Sequence, residues 1–275
     1  MSGNTAAAKA TTPPKAAWKA TKTIEQWGPF VLFEGCIMSR RQMGSRYSTQ
    51  FLLKKYGFDF QTMDDETCCG APIMRSGRED VGTRLRRTNL DSVKKLGYRR
   101  VVSACAGCGS QLKSHEAEAL GIGVFHMVEL LYSLAKNGEL VHPDMVDTLP
   151  KLTVTGHDPC HLGRGMGVDI NTIHATIVNA LPNQTWVECQ EHDRCCGAGG
   201  GVRASQKDLS YAILQRKVKR LTRTGADIVL AACPFCELQI DEGLRKAEGC
   251  KMRAITPQAY IAMLFKDVFE EVDKL

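Results

Sequence analysis

Twelve cysteines in a chain of 275 residues constrain this protein more than any other feature of its sequence. Ten of them fall into two copies of one pattern, in which a single cysteine is followed by an adjacent pair and then by a CxxC motif. The first copy consists of Cys36, Cys68, Cys69, Cys105 and Cys108, and the second of Cys160, Cys195, Cys196, Cys233 and Cys236. An internal repeat of this kind predicts two similar modules, which we assign to residues 28–148 and 149–275.

The spacing inside the two copies is nearly the same. The lone cysteine is separated from the pair by 31 residues in the first copy and 34 in the second, and the pair from the CxxC motif by 35 and 36. The flanking residues agree as well, because CCGAP matches CCGAG and SACAGC matches AACPFC. Spacing and flanks together indicate a duplication.

A cysteine content this high is typical of either a secreted disulfide scaffold or a metal protein. Residues 1–23 lack the apolar core that a secretory signal peptide needs. A transit peptide is the other alternative, but the segment has no arginine and Pro13-Pro14 would break its amphipathic helix. We therefore expect residues 1–27 to be a disordered tail, and the chain to be a cytoplasmic protein that binds metal.

Charge and hydropathy exclude two further classes of function. The net charge of +6 is modest and the basic residues are dispersed among acids, which does not favour a nucleic-acid surface. No apolar run approaches the length of a membrane-spanning helix, so we expect no direct membrane span.

Short apolar runs alternate with helical patterns through both halves. The strand candidates are residues 31–36, 58–63, 100–104, 152–158, 185–188 and 227–232, and the helix candidates are residues 47–56, 79–96, 168–181 and 207–222. This alternation predicts an α/β fold of two pseudo-symmetric, Rossmann-like modules with parallel sheets. The lone cysteine and the CxxC motif of each module follow strand candidates, so we expect cluster sites at the carboxyl ends of strands.

Five thiolates per module exceed what the common metal sites require. A structural zinc ion takes four ligands, and a cubane iron–sulfur cluster takes four cysteines. An adjacent pair needs a turn to face one site, and Gly70 and Gly197 supply that freedom. The alternative is that one cysteine of each pair packs in the core as a small apolar residue.

The doubled pattern resembles the pair of CCG domains in the B subunit of heterodisulfide reductase and its relatives, including the version in sulfur-oxidising complexes. The motifs that carry the resemblance are FEGCIM, CCGAP, HDPCHLGR, CCGAGGGVR and CPFCELQID, and they extend over residues 31–245. The resemblance implies that each set of five cysteines holds a non-cubane [4Fe-4S] cluster. It also implies that both clusters lie near one cavity, where a disulfide is split.

By this resemblance the chain is the iron–sulfur catalytic subunit of a heterodisulfide-reductase-like oxidoreductase, which reduces or forms a disulfide of small or carrier-bound thiols. The chain contains no C-x2-C-x2-C-x3-C-P run, so we expect electrons to pass to or from another subunit. The resemblance implies two partners. One is a ferredoxin-like subunit with cubane [4Fe-4S] clusters, which is the C subunit in that family, and the other is a flavin subunit, which is the A subunit.

Two other functions remain open. The first is an electron-transfer subunit of a quinone-linked oxidoreductase, of the succinate dehydrogenase or glycolate/lactate oxidase type, which has no substrate of its own. The second is a structural zinc protein with a scaffold role, which the fifth thiolate of each set disfavours.

Two histidines flank Cys160. His157 and His161 are four residues apart, but Asp158-Pro159 between them argues against a helix that would align them. They are candidates for hydrogen bonding around a cluster or for contact with substrate.

Several arginines lie near the cysteines in sequence, namely Arg40, Arg41, Arg46, Arg164 and Arg203. They are candidates for binding an anionic thiol or for lowering thiolate pKa values, and a solvated basic rim is the alternative. Cys189 and Cys250 fall outside the repeat, and we expect both to pack in the core.

Overall fold

The structure, a computed structural model, describes residues 20–268. The strands of the first half are β1 (Phe30–Phe33), β2 (Phe60–Gln61), β3 (Arg100–Ser103) and β4 (Gly123–His126). Its helices are α1 (Thr21–Trp27), α2 (Cys36–Arg40), α3 (Met43–Lys55), α4 (Ala71–Arg75), α5 (Glu79–Lys95), α6 (Ala106–Leu112), α7 (His115–Ala119) and α8 (Met127–Lys136).

The second half repeats this order. Its strands are β5 (Leu152–His157), β6 (Gln184–Trp186), β7 (Ile228–Ala231) and β8 (Arg253–Ile255). Its helices are α9 (Cys160–Met166), α10 (Ile170–Asn179), α11 (Val202–Ser205), α12 (Lys207–Thr222), α13 (Pro234–Lys246) and α14 (Pro257–Ala262). The predicted boundary at residues 148 and 149 falls between α8 and β5 and stays a prediction.

Both halves form a four-stranded sheet with the same topology. The strand orders are β2-β1-β3-β4 and β6-β5-β7-β8, and all pairs within the sheets are parallel. The register also matches, because Phe33 pairs with Ser103 in the first sheet and His157 pairs with Ala231 in the second. The predicted α/β class and the two repeated modules are therefore confirmed.

The central strands read as continuous apolar runs because they are covered on both faces. All four residues of β1 and all four of β7 are buried, which is typical of parallel sheets flanked by helices. The six strand candidates correspond to six strands of the structure, whereas β4 and β8 were not predicted.

The N-terminal segment differs from the prediction. Residues 1–19 lie outside the described part of the chain, but residues 20–27 are ordered, and α1 packs against α8. Trp27 is buried and its indole N–H donates to Ser133 Oγ at 3.0 Å. Thr23 donates through its backbone N–H and its hydroxyl to Glu139 Oε2, at 2.9 and 2.6 Å. The prediction of disorder was wrong for residues 20–27, because Ala20, Ile24 and Trp27 pack on the core and these hydrogen bonds hold the segment in place.

The two modules share a hydrophobic core. Helix α8 packs against α10, α3 against α14, and α6 against α9, so each contact joins one half to the other. The rings of Phe51 and Phe265 meet edge to face with their centroids 5.3 Å apart. Within residues 20–268, no helix combines the length and the apolar character needed to span a membrane.

Candidate metal centre

The lone cysteine and the CxxC motif of each module lie at the same edge of their sheet. Cys36 begins α2 just after β1, and Cys105 immediately precedes α6 just after β3. In the second module Cys160 begins α9 after β5, and Cys233 immediately precedes α13 after β7. Because β1 neighbours β3 and β5 neighbours β7, each module brings its thiols to the carboxyl ends of two adjacent strands.

A left-handed glycine follows each adjacent pair. Gly70 has a φ of +85° and Gly197 a φ of +87°, a conformation that favours glycine. The backbone N–H of Gly70 donates to Cys68 Sγ at 3.4 Å, and that of Gly197 donates to Cys195 Sγ at 3.3 Å. The predicted turn is therefore present in both modules, and it directs both sulfurs of each pair to one site.

Eight of the ten thiols form one continuous series of contacts across the two modules. In order along the series they are Cys68, Cys69, Cys108, Cys105, Cys233, Cys236, Cys196 and Cys195. Cys196 Sγ and Cys236 Sγ are 3.4 Å apart. The contact of Cys105 with Cys233 joins the first set to the second.

The two lone cysteines complete the sets. Cys36 interacts electrostatically with Cys68, and Cys160 with Cys196 and Cys233. Each predicted set of five cysteines is thus brought together, and the two sets meet where the modules pack.

The second cysteine of each pair is stabilised as a thiolate. Hydrogen bonds from the thiols of Cys108 and Cys68 lower the pKa of Cys69 to about 3. In the second module the thiols of Cys195 and Cys236 hold the pKa of Cys196 well below its ordinary value. Thiolates are the ligands of zinc and of iron–sulfur clusters, so the donor set fits a soft, sulfur-binding metal group.

The two candidate histidines occupy different positions. His157 is buried at the end of β5, and a ring nitrogen of His157 and the Sγ atoms of Cys196 and Cys236 all lie within 4.8 Å of one another. His161 is half-buried, and its ring lies beside Gly107 of the first module and Gly199 of the second. Burial lowers the pKa of His161, and the positive charge of Arg75 adds to that effect.

Two of the candidate arginines are engaged by acidic side chains. Arg46 donates to Glu34 Oε1 at 2.8 Å, and Arg203 donates to Gln239 and Glu242 on α13. The guanidinium groups of Arg46 and Arg203 are thus hydrogen-bonded to side chains of the protein itself.

The other candidate arginines are exposed. The side chain of Arg164 is 62% exposed and donates to the carbonyl oxygen of Asp193 at 3.3 Å. Arg40 and Arg41 are exposed at the end of α2. Burial raises the pKa of the Cys160 thiol and the positive charge of Arg164 acts to lower it, which places Arg164 beside the second set of cysteines.

Sequence reasoning missed Arg75, which belongs to both sites. The positive charge of Arg75 favours the thiolate of Cys69 in the first module and acts on Cys160 and His161 in the second. Its place after Cys68 and Cys69 corresponds to that of Arg203 after the second pair, so the repeat contained a signal for it.

Two further polar residues that support the site were missed. The carboxylate of Glu66 accepts hydrogen bonds from the backbone N–H groups of Glu34 and Gly35, at 2.9 and 2.7 Å, and burial raises the pKa of Glu66 to about 7. Lys217 is 1% exposed and donates to the carbonyl oxygens of Glu191 and His192, at 2.8 and 3.1 Å. A lysine on the apolar face of α12 was the available signal for the second residue.

The two cysteines outside the repeat are apart from this series of thiols. Cys189 is fully buried in the hydrophobic core, which confirms the prediction for that residue. Cys250 is half-buried and packs against the core. All twelve cysteines lie within the described residues, and none of them forms a disulfide.

Comparison with known proteins identifies the repeat. The sequence pattern of the CCG cysteine-rich domain matches residues 30–113 and 154–241, one match in each module. The chain is 34% identical over 231 residues to the D subunit of the dihydromethanophenazine:CoB–CoM heterodisulfide reductase of Methanosarcina barkeri, covering 80% of this chain and 55% of that protein.

Two further relatives carry related names. The B subunit of the fumarate reductase (CoM/CoB) of Methanothermobacter marburgensis is 30% identical over 219 residues, covering 78% of this chain and 42% of that protein. The B subunit of the ferredoxin/F(420)H(2)-dependent CoB–CoM heterodisulfide reductase of Methanosarcina acetivorans is 29% identical over 241 residues, covering 77% and 79%. The chain therefore spans about half of the length of the first two relatives.

Proposed function

Because the chain belongs to the family of CCG cysteine-rich domain proteins, we propose that it is the iron–sulfur subunit of a heterodisulfide-reductase-like oxidoreductase complex. The observation that carries this proposal is the gathering of ten cysteines at the contact of two equivalent modules. A scaffold role with zinc is disfavoured, because four thiolates saturate a structural zinc ion and each module offers five.

The proposed cofactors are two non-cubane [4Fe-4S] clusters. The first would be held by Cys36, Cys68, Cys69, Cys105 and Cys108, and the second by Cys160, Cys195, Cys196, Cys233 and Cys236. When bound, such clusters supply one-electron redox chemistry and iron with a high affinity for thiolate.

The proposed reaction is the interconversion of a disulfide and two thiols, in which a disulfide takes up two electrons and two protons as its S–S bond breaks. The contact between Cys105 and Cys233 supports it, since two one-electron centres held by adjacent ligands serve one two-electron step. Cys36 and Cys195 are the exposed members of their sets, so the surface at each of these two cysteines is a proposed approach for substrate.

The proposed substrate is a small or carrier-bound thiol or disulfide with an anionic group. Arg75 and Arg164 support an anionic substrate, because both are exposed and both charges act on Cys160. His161, between Gly107 and Gly199, is the proposed polar contact beside them.

The proposed partners are a ferredoxin-like subunit with cubane [4Fe-4S] clusters and a flavin subunit. The relatives in heterodisulfide reductase are named as subunits, which supports assembly with other chains. Twelve cysteines without a disulfide favour a reducing compartment, so we propose the cytoplasm.

The catalytic part of the proposal is tested with protein purified without oxygen and loaded with its clusters. Under an artificial one-electron reductant, we expect a small disulfide to be cleaved, with two thiols released per two electrons consumed. A Cys69→Ser, Cys196→Ser double variant serves as the control and should release none.

A second candidate is an electron-transfer subunit without its own substrate, and the similarity to a fumarate reductase subunit favours it. The same experiment separates the two functions. Oxidation of the reduced protein by a quinone or a dye, with no thiol release from any disulfide, would support the second candidate and contradict the first.

A further inference from the structure

His157 presents a nitrogen atom to the second set of cysteines. The residue is 1% exposed, and one of its ring nitrogens and the sulfurs of Cys196 and Cys236 all lie within 4.8 Å of one another. Ligands bonded to one metal ion at about 2.0–2.3 Å are at most about 4.5 Å apart. The three atoms therefore stand at nearly the spacing of ligands around a single ion.

The hydrogen bonds of His157 fix which ring nitrogen is free to bind a metal. Its Nδ1 atom lies 3.2 Å from the carbonyl oxygen of His192, which also accepts from the backbone N–H of Asp158 and from Lys217. Because a carbonyl oxygen only accepts, Nδ1 of His157 carries the proton, and in the neutral imidazole Nε2 therefore keeps its lone pair. The same side chain interacts with the Cys196 sulfur. Nε2 is buried with no nitrogen or oxygen partner among the described residues.

This arrangement is the one found at metal-binding histidines. Their second ring nitrogen usually donates to a backbone carbonyl or a carboxylate, which orients the ring and raises the basicity of the ligating nitrogen. The His192 carbonyl serves that purpose here, and Lys217 and Asp158 hold it in place.

A second buried histidine provides the contrast. His126 is fully buried and lies close enough to Cys233 to interact with it electrostatically. Its Nδ1 atom accepts a hydrogen bond from the backbone N–H of Val128 at 3.2 Å, so the proton sits on Nε2. His126 can donate to a sulfur but has no lone pair at Nε2 with which to bind iron.

The first module has no counterpart to this nitrogen. Phe33 occupies the position of His157, as the matching strand registers show. The phenylalanine ring offers no donor atom.

We propose that Nε2 of His157 is an iron ligand at the second set of cysteines, next to Cys196 and Cys236, and that the first set has no nitrogen ligand. The inference rests on the proposed iron–sulfur clusters, and it makes the two clusters chemically different.

The test is hyperfine spectroscopy on cluster-loaded protein in the redox state in which the second cluster is paramagnetic. The protein is prepared once with natural histidine and once with ¹⁵N-labelled histidine, so that a coupled nitrogen is assigned to histidine in the unsubstituted chain. His157→Phe, which installs the residue of the first module, then assigns the coupling to one position, and His126→Asn is the matched control. Iron and acid-labile sulfide are measured on every sample.

We expect a strongly coupled histidine nitrogen that is lost in His157→Phe and retained in His126→Asn. Full iron and sulfide without a strongly coupled nitrogen would overturn the inference and leave the proposed function intact. Retention of the coupling in His157→Phe would also overturn it. Protein that contains zinc and no sulfide would overturn both the inference and the proposed function. If His157→Phe does not fold, the absence of a strongly coupled histidine nitrogen from the labelled unsubstituted protein still overturns the inference.

Discussion

The two modules hold their cysteines in the same way but surround them with different side chains. Phe33 in the first module is replaced by His157 in the second, at matching positions of the central strand. On the helix behind the adjacent pair, Asn89 in the first module corresponds to Lys217 in the second. Asn89 and Lys217 are both buried, and both bind the loop that carries the cysteine pair.

The features common to both modules are the ones that the proposed clusters require. The polar side chains around the cysteines are the features that differ. The sheet order, the left-handed glycine and the thiols are the same in both modules. The polar groups are an amide in one module and an ammonium and an imidazole in the other. The duplication therefore predicts two clusters with equivalent cysteine ligands in two different polar environments.

The CxxC helices of the two modules contact the opposite module in different ways. In the first CxxC helix, Gly109 lies against Met166 of α9, and a Cβ atom there would approach its sulfur to 2.9 Å. The corresponding residue of the second CxxC helix is Glu237, whose carboxylate accepts hydrogen bonds from Gln42 and Ser45, both at 3.2 Å. One contact is close packing and the other is polar.

The largest expected effect is the loss of one cluster. Cys69→Ser should remove the cluster of the first module and Cys196→Ser that of the second, each lowering iron and sulfide by about half. EPR spectra of the two variants should each lack a different signal. If either substitution abolishes both signals, the contact between Cys105 and Cys233 unites the thiols into one site and the division into two sets is wrong.

The next-largest expected effect concerns the left-handed glycine that follows the cysteine pair in both modules. A Cβ atom on Gly70 would lie 2.5 Å from the carbonyl oxygen of Gly82, and one on Gly197 would lie 2.7 Å from that of Ser210. Gly70→Ala and Gly197→Ala should each lower the free energy of unfolding by about 4 kcal/mol, through the positive φ and the collision with backbone.

Gly77 is the matched control for this pair of substitutions. It has a φ of +90° and no atom within 4 Å of an added Cβ. Gly77→Ala should cost only about 1 kcal/mol, measured by anaerobic chemical denaturation. Equal losses at all three positions would show that the close approach to the neighbouring helix contributes nothing.

A smaller effect separates the modules. Lys217→Met removes two hydrogen bonds from a charged donor and should lower the free energy of unfolding by about 3 kcal/mol. Asn89→Leu removes the neutral bonds to the Thr67 N–H and the Cys68 carbonyl and should cost about 2 kcal/mol. Chemical denaturation of both variants checks the order, and a larger loss in Asn89→Leu would contradict it.

The smallest expected effect concerns the exposed charges. Arg75→Gln and Arg164→Gln should each weaken binding of mercaptoacetate about two- to fivefold, because exposed charges act weakly across water. Binding of the neutral thiol 2-mercaptoethanol should not change. Arg75→Gln should alter the signals of both clusters and Arg164→Gln only that of the second. Equal effects on both thiols would exclude an electrostatic role for either arginine.

The cysteine sites could be predicted from the sequence because the repeat fixed both their number and their order. Parallel strands ending at cysteines brought the lone cysteine and the CxxC motif to one sheet edge. The contact between Cys105 and Cys233 could not be predicted, since it depends on how the two modules pack. Spacing within a module carries no information about that packing.

The other features that could not be predicted from the sequence have two causes, strands without a cysteine and contacts between distant residues. The strands β4 and β8 end on His126 and Ile255 and carry no cysteine, so the repeat did not reveal them. Helix α1 is held by Trp27 against α8, a partner more than a hundred residues away. Arg203 lies close to the cysteine pair in sequence, but Gln239 and Glu242 engage its guanidinium group.

The central claim is that ten cysteines hold two four-iron clusters. It is tested most directly by iron, zinc and acid-labile sulfide analysis of protein purified without oxygen, followed by EPR after mild oxidation and after addition of a thiol. The account predicts about eight irons and matching sulfide per chain, and a signal that changes when the thiol binds. About two zinc ions without sulfide would contradict it.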